Sequence, residues 1–322
     1  MNETPDELKT ALVLPGGGAR GAFQVGVLKA LAELLPRASS NPFPIVSGTS
    51  AGAVNAVVLA TRARKYRSAV AELERVWGHF RCNQVYKTDH LTMLKSSLHW
   101  LAALVLGGWL VGMPRSLLDN SPLRRLLSRN VHFPRIRDAI EAGHLDAVAI
   151  TAAGYASARS ISFFEAQPGH AGWERTRRMG QAAELSLEHL MASIAVPYVF
   201  PPARIGNEWF GDGAMRQATP LSPAVRLGAD RILVIGIRDE MGGAEPDNAA
   251  EPPSFAQIAG YMLDTLFMDG LYSDLERITR INDLLDVVPE QTLWSGDREM
   301  RAIDTMLIVP NKDLSMIEEK QR

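Results

Sequence analysis

The sequence of 322 residues contains one cysteine, Cys82, so no disulfide can form within the chain and no cysteine cluster can hold zinc or an iron–sulfur group. Charge of one dominant sign is also lacking: Lys and Arg total 34 against 36 Asp and Glu, a net of -2. Without a basic field, nucleic acid is not an expected partner. Residues 1–10 are polar and carry Glu3, Asp6 and Glu7, the opposite of a basic, apolar secretory leader. These absences favour a reducing, cytoplasmic setting. The most apolar run, residues 100–113 (WLAALVLGGWLVGM), would rise about 21 Å as a helix, short of a ~30 Å hydrocarbon core, and is not expected to span a bilayer.

What is present is ordinary globular composition, 46% apolar and 22% charged, enough for one large core. Residues 11–14 read as a buried strand that runs into Pro15, Gly16, Gly17 and Gly18. A helix follows, because Phe23, Val27, Leu28, Leu31, Leu34 and Leu35 recur at three- and four-residue spacings. The same grammar repeats with a strand at 44–47, a tight turn at 48–52 and a small-residue helix at 53–63. Two strand–turn–helix units in succession predict a parallel sheet. Further strands are expected at 145–152, 161–164 and 231–237, the last apolar on both faces. Residues 65–130 read as a helical insertion over the ligand-binding edge, a place for a lid. Residues 239–253 (DEMGGAEPDNAAEPP) read as an acidic linker, and 254–322 as a mostly helical extension with one strand near 306–309.

Three motifs carry chemistry. The first is GTSAG at 48–52, with Ser50 at its centre. A serine on a sharp strand-to-helix turn needs small neighbours, supplied by Gly48 and Gly52, and the helix that follows brings unpaired N–H groups and a positive dipole end to its oxygen. The second is GGGARG at 16–21. Its glycines can turn successive N–H groups toward one point, as an oxyanion or a phosphate requires; the missing GK[ST] ending favours the oxyanion. Arg20 in this loop suits either a functional role or a salt bridge that pins the loop.

The third motif is GDGA at 211–214. Asp-Gly is a common turn, and Asp269-Gly270 repeats it inside a helical stretch. Asp212 differs by ending a strand between Gly211 and Gly213, which would let another loop approach. All seven histidines precede Asp212, which argues against the order Ser, acid, His of the usual hydrolase triad.

With these motifs in this order the chain resembles the patatin-like phospholipases: GGGxRG matches 16–21, GxSxG matches 48–52 and DG[AG] matches 212–214. Segments 192–202 (ASIAVPYVFPP) and 220–230 (PLSPAVRLGAD) resemble the stretches around that family's catalytic aspartate. The resemblance covers about residues 10–238, the expected catalytic domain. It implies an α/β three-layer sandwich with a central, mostly parallel sheet flanked by helices. It implies Ser50 as nucleophile, Asp212 as its partner in a Ser–Asp dyad without histidine, and Gly16, Gly17 and Gly18 as the oxyanion hole. Arg20 and Gly21, with Gly48, Gly52 and Gly213, match supporting motif positions. The expected activity is hydrolysis of fatty-acyl esters of lipids, with no metal or organic cofactor and no more than peripheral contact with a membrane surface. A transacylase or thioesterase sharing the acyl-enzyme, and a non-catalytic acyl-lipid binding protein, are the alternatives. The apolar run at 100–113 is open between a buried helix and an interfacial lid anchored by Trp100 and Trp109, with Arg115 near headgroups.

Overall fold

The computed structural model describes residues 8–87, 116–238, 252, 254–287, 294–295, 298–299 and 301–311. In chain order the elements are β1 (Thr10–Leu14), α1 (Gly21–Leu34), β2 (Ile45–Thr49), α2 (Ala51–Thr61), α3 (Tyr66–Gly78), α4 (Cys82–Val85), α5 (Ser121–Asn130) and α6 (Pro134–Glu141). They continue as β3 (Ala147–Gly154), β4 (Ser160–Ala166), β5 (Trp173–Arg175), β6 (Arg178–Ala182), α7 (Leu187–Ser193), β7 (Ala203–Ile205) and β8 (Glu208–Asp212). The chain then forms α8 (Ser222–Arg226), β9 (Arg231–Ile235), α9 (Phe255–Leu285), the short pair β10 (Trp294–Ser295) and β11 (Arg298–Glu299), and β12 (Asp304–Ile308). The main sheet runs β12-β9-β1-β2-β3-β4-β6-β5, with its first five strands parallel and β4 turned antiparallel to β3.

Strand periodicity sorts the side chains into two layers. Leu12, Leu14, Val46, Val148, Ile150, Leu233 and Ile235 face a core closed by α1, α2, α3 and α5 to α7. Their alternates Ala11, Val13, Ile45, Ala149, Ile232 and Val234 face a second core closed by α8 and α9. The parallel strands are buried on both faces because helices cover both, so the expected three-layer α/β sandwich is the observed architecture.

Helix α2 explains its own composition. It packs between β2 and β3 on one side and α3 and α6 on the other, and Ala53, Ala56, Val57, Leu59 and Ala60 are fully buried. Small residues let the helix approach the sheet closely; replacing Leu59 by Ala would cost about 2–5 kcal/mol. The helix begins at Ala51, two residues earlier than the sequence predicts, because Gly52 serves close packing and not the turn itself.

Of the segment 65–130, Tyr66–Gly78 is a helix whose Tyr66 and Leu73 are fully buried, with the Tyr66 hydroxyl donating to the Leu28 carbonyl at 3.2 Å. The run 100–113 lies outside the described residues, as do 239–251. The segment expected as a C-terminal extension supplies β12, which pairs in parallel with β9 at the sheet edge, and α9, which buries Leu271 and Ile278 against the second face. It thereby covers an edge that β9 would otherwise present bare. Among the described residues no helix is long and apolar enough to cross a membrane.

Candidate active site

The register of the sheet brings the two candidate residues together. The last pair between β2 and β3 is Thr49 with Thr151. One residue further along β3, Ala152 pairs with Asp212 of β8. The opposite edge of β3 is held there by β4, so β8 continues on the side that β2 vacates when the chain turns at Ser50. Ser50 Oγ donates to Asp212 Oδ2 at 2.6 Å, across 162 residues of sequence.

Ser50 has φ 54 and ψ -126, left-handed backbone that an L-residue occupies only at a cost of about 1–3 kcal/mol. That conformation lifts the serine out of the strand and starts α2 at once. The turn is held by Ser193 at the end of α7, whose Oγ accepts the Ser50 N–H at 2.9 Å and donates to the Thr151 carbonyl at 2.7 Å. Close approach fixes the surrounding glycines. A Cβ on Gly52 would lie 2.0 Å from the Leu14 carbonyl oxygen, and one on Gly213 would lie 2.2 Å from that of Thr151. Gly48 is confined in the same way against Gly52 and Ala53.

Asp212 is 1% exposed. Its Oδ1 accepts the Ala214 N–H at 2.9 Å, and its own N–H donates to Ala195 at 2.8 Å. Burial pushes its carboxyl from 3.8 up to about 7, and the hydrogen bonds from Ser50 and Ala214 only partly oppose that rise. The group is thus poised where a base working near neutral pH is most effective. Tyr155 stands beside it, its phenol pushed up by burial and by the neighbouring Tyr198 and Asp212.

The glycine loop follows β1. Gly16 is buried, whereas Gly18 is exposed with φ 55 and opens a single 3-10 turn through Arg20, whose N–H donates to the Gly17 carbonyl at 3.1 Å. A Cβ on Gly21 would touch that of Ala51 at 3.1 Å, so this loop lies against the first turn of α2. The leading N–H groups of both turns have no acceptor within their own turn. Two buried amides that the sequence reading did not single out anchor the loop. Gln24 Nε2 donates to the carbonyls of Pro15 at 2.9 Å and Ile235 at 3.2 Å. Asn55 Nδ2 donates to Gln24 Oε1 at 2.9 Å and to the Gly21 carbonyl at 3.2 Å, and its Oδ1 accepts from the Trp77 indole at 2.8 Å. A half-buried amide, Gln217, also escaped the sequence reading: it joins Thr49 and Thr151 on the two strands that flank the turn at Ser50.

Among the described residues no imidazole contacts Ser50 or Asp212. His189, on α7, hydrogen-bonds Ser186 at 2.8 Å and packs edge-on against Phe163, and burial pushes its pKa down. It serves the start of α7. His90 and His99 lie outside the described residues.

The chain is 28% identical over 204 residues to a cGAMP-activated phospholipase of Pseudomonas aeruginosa, a match covering 63% of this chain and 52% of that protein. The chain thus spans about half the length of the curated relative it matches. Among solved structures it is similar to VipD from Legionella pneumophila, with TM-score 0.39 and 14% identity over 96% of this chain and 62% of that one. It is also similar to the type III effector ExoU, with TM-score 0.33 and 14% identity over 90% of this chain and 58% of that one. A family model described as patatin-like phospholipase matches residues 12–225, from β1 through Ser50 and Asp212 to α8. On that match, which takes in most of the sequence and every element of the candidate site, the chain belongs to the patatin-like phospholipase family.

Proposed function

We propose that this protein hydrolyses fatty-acyl esters of lipids, in the manner of a phospholipase A or lysophospholipase, with Ser50 as nucleophile and Asp212 as base. The observation that supports it is the 2.6 Å hydrogen bond from a serine on a left-handed turn to a buried carboxyl pushed up to about 7. Asp212 takes the Ser50 proton as Oγ adds to the ester carbonyl. The same carboxyl then protonates the departing alcohol, leaving an acyl-enzyme. A water molecule repeats the exchange, giving its proton to Asp212, and the fatty acid leaves as Ser50 is restored.

A carboxylate with an ordinary pKa near ~3.9 would be a poor base for a hydroxyl, so raising it by about three units narrows the proton-transfer gap. The larger contribution belongs to the developing oxyanion. On this proposal it comes from N–H groups of the loop 16–18 and of the first turn of α2, which lie against each other, and each well-placed donor would contribute about 3 kcal/mol. The positive end of the α2 dipole acts in the same direction. A lipid substrate implies work at a membrane surface.

The test is hydrolysis of a panel running from short p-nitrophenyl esters through lysophospholipid and phospholipid to triacylglycerol, beside Ser50→Ala. Activity retained by Ser50→Ala, or failure of a fluorophosphonate to label Ser50, would overturn the assignment. Added alcohol acceptors separate hydrolysis from acyl transfer by the products formed.

A further inference from the structure

Thr49 and Thr151 are the last pair between β2 and β3. There β2 ends at Ser50, while β3 goes on to pair Ala152 with Asp212 of β8. The distance between Ser50 and Asp212 therefore depends on how closely two strand ends are held at the point where their ladder stops. Ser193 of α7 ties them through the backbone, at the Ser50 N–H and the Thr151 carbonyl. Alternation along the strands turns the side chains of Thr49 and Thr151 to the other side of the sheet. They follow Ile45, Ala147 and Ala149, which belong to the second core that α9 helps to close.

On that side Gln217 spans both strands. Thr49 Oγ1 donates to Gln217 Oε1 at 2.5 Å, and Gln217 Nε2 donates to Thr151 Oγ1 at 3.2 Å. Thr151 Oγ1 lies 3.0 Å from Ser162 Oγ of β4, so one chain of polar groups crosses β2, β3 and β4. Thr49 is 2% exposed and Thr151 fully buried, and a hydroxyl so placed costs free energy unless it is bonded. The amide meets that need for two strands at once, and the strand ends cannot part without breaking it.

Gln217 is itself placed from two directions. It closes the 3-10 turn Gly213–Arg216, whose first N–H groups are capped by the Asp212 carboxyl, so tie and base share one turn. From below, Gly270 of α9 packs on its backbone, where a Cβ would stand 2.6 Å from the Gln217 carbonyl oxygen. That helix lies beyond residues 12–225, the span of the family match. We infer that Gln217 is a positioning residue for ester cleavage: by tying the ends of β2 and β3 on the side opposite α2, it holds Ser50 and Asp212 within bonding distance. The inference rests on Ser50 as nucleophile and Asp212 as base.

The experiment measures kcat, KM and melting temperature with one p-nitrophenyl ester. It compares the native chain, Ser50→Ala, Gln217→Met, and Thr49→Val combined with Gln217→Met. Methionine is close to glutamine in length but has no amide, so it strands the Thr49 hydroxyl. Gln217→Met should lower kcat about tenfold or more with KM within about twofold, because a small misplacement of the pair is felt in the transition state. It should lower the melting temperature as well. The double variant removes the stranded hydroxyl and should regain most of that thermal loss, yet its kcat should stay low because the tie is still missing. A kcat that recovers together with the melting temperature, or one that Gln217→Met leaves unchanged, overturns the inference and leaves the dyad standing. Should Gln217→Met fail to fold, the double variant decides alone, and a native kcat in it refutes the positioning role. Hydrolysis by the native chain no faster than by Ser50→Ala refutes the dyad instead, and the role of Gln217 with it.

Discussion

Replacing Asp212 by Asn should shift the balance of stability toward the variant, relative to the native chain, as the pH rises, while abolishing hydrolysis. The native carboxyl is held at about 7 against 3.8 for an ordinary one, so the folded state binds the proton more tightly than the unfolded state does. The contribution of this one group to native stability is therefore greatest below 3.8, falls as pH climbs from there to about 7, and is flat above. At about 1.4 kcal/mol per pH unit, the full penalty for holding this carboxylate buried and ionised is on the order of 4 kcal/mol. At pH 5 roughly a third of it has accrued, and at pH 8 all of it. Asparagine keeps an oxygen for the Ala214 N–H and carries no charge, so it escapes the penalty at every pH. The losses that substitution causes, in the geometry around Ser50, do not depend on pH over this range.

The difference in unfolding free energy between Asp212→Asn and the native chain should consequently shift in favour of the variant by about 2–3 kcal/mol between pH 5 and pH 8. Urea denaturation at the two pH values measures it directly. A difference that is the same at both would show that the carboxyl does not titrate in the folded protein as its burial requires. A variant that grows relatively weaker with pH would show the carboxylate to be stabilised in place, and its role as a base would fail with it.

Other outcomes follow from the same geometry. The kcat/KM for ester hydrolysis should rise with pH through an inflection near 7, because the deprotonated Asp212 is the active form; a profile flat from pH 5 to 8 would contradict this. Ser193→Ala strands the Ser50 N–H and the Thr151 carbonyl, and should cost about 1–3 kcal/mol in denaturant while lowering kcat about tenfold or more, with KM little changed. Gly52→Ala puts a methyl 2.0 Å from the Leu14 carbonyl oxygen and should destabilise by about 3 kcal/mol or more, read as a lowered melting temperature. Asn55→Leu breaks the bridge between Gln24 and Trp77 and loosens the glycine loop, so hydrolysis should fall more steeply than thermal stability does.

The parts of this fold legible in the sequence are those where one constraint dominates. Strand β1 is legible because a strand covered on both faces is apolar along nearly its whole length, and β2 because Ile45 and Val46 run directly into the glycine turn at 48–52. Asp212 stood apart from Asp269 because glycines flank it at a strand end, whereas Asp269 lies within α9. Other parts depend on partners distant in sequence. Strands β5 and β6 are not legible, since WER and RMGQA carry no period-two pattern and bury only Gly180.

Gln24 and Asn55 left a signal that was available. Each is a polar residue on a face otherwise apolar, Asn55 in the middle of a helix of alanine and valine, and such a residue must find a buried partner. Ser193 lies within the stretch 192–202 that carried the family resemblance, but nothing in its spacing marks it as the clamp on Ser50. Gln217 gives no signal without the register of β2 and β3.

The order of events during folding is written into the seam where β8 takes over from β2 along β3. The early strands and helices, through α3, can associate while the chain is half made, because their contacts are close in sequence. Ser50 finds its partner only after β8 has docked beside Ala152, a contact between distant parts of the chain that loop-closure entropy makes slow. In refolding, catalytic competence should therefore lag behind the return of helical signal. On a ribosome, a chain halted before residue 208 would lack β8 and Asp212, and with them the partner of Ser50.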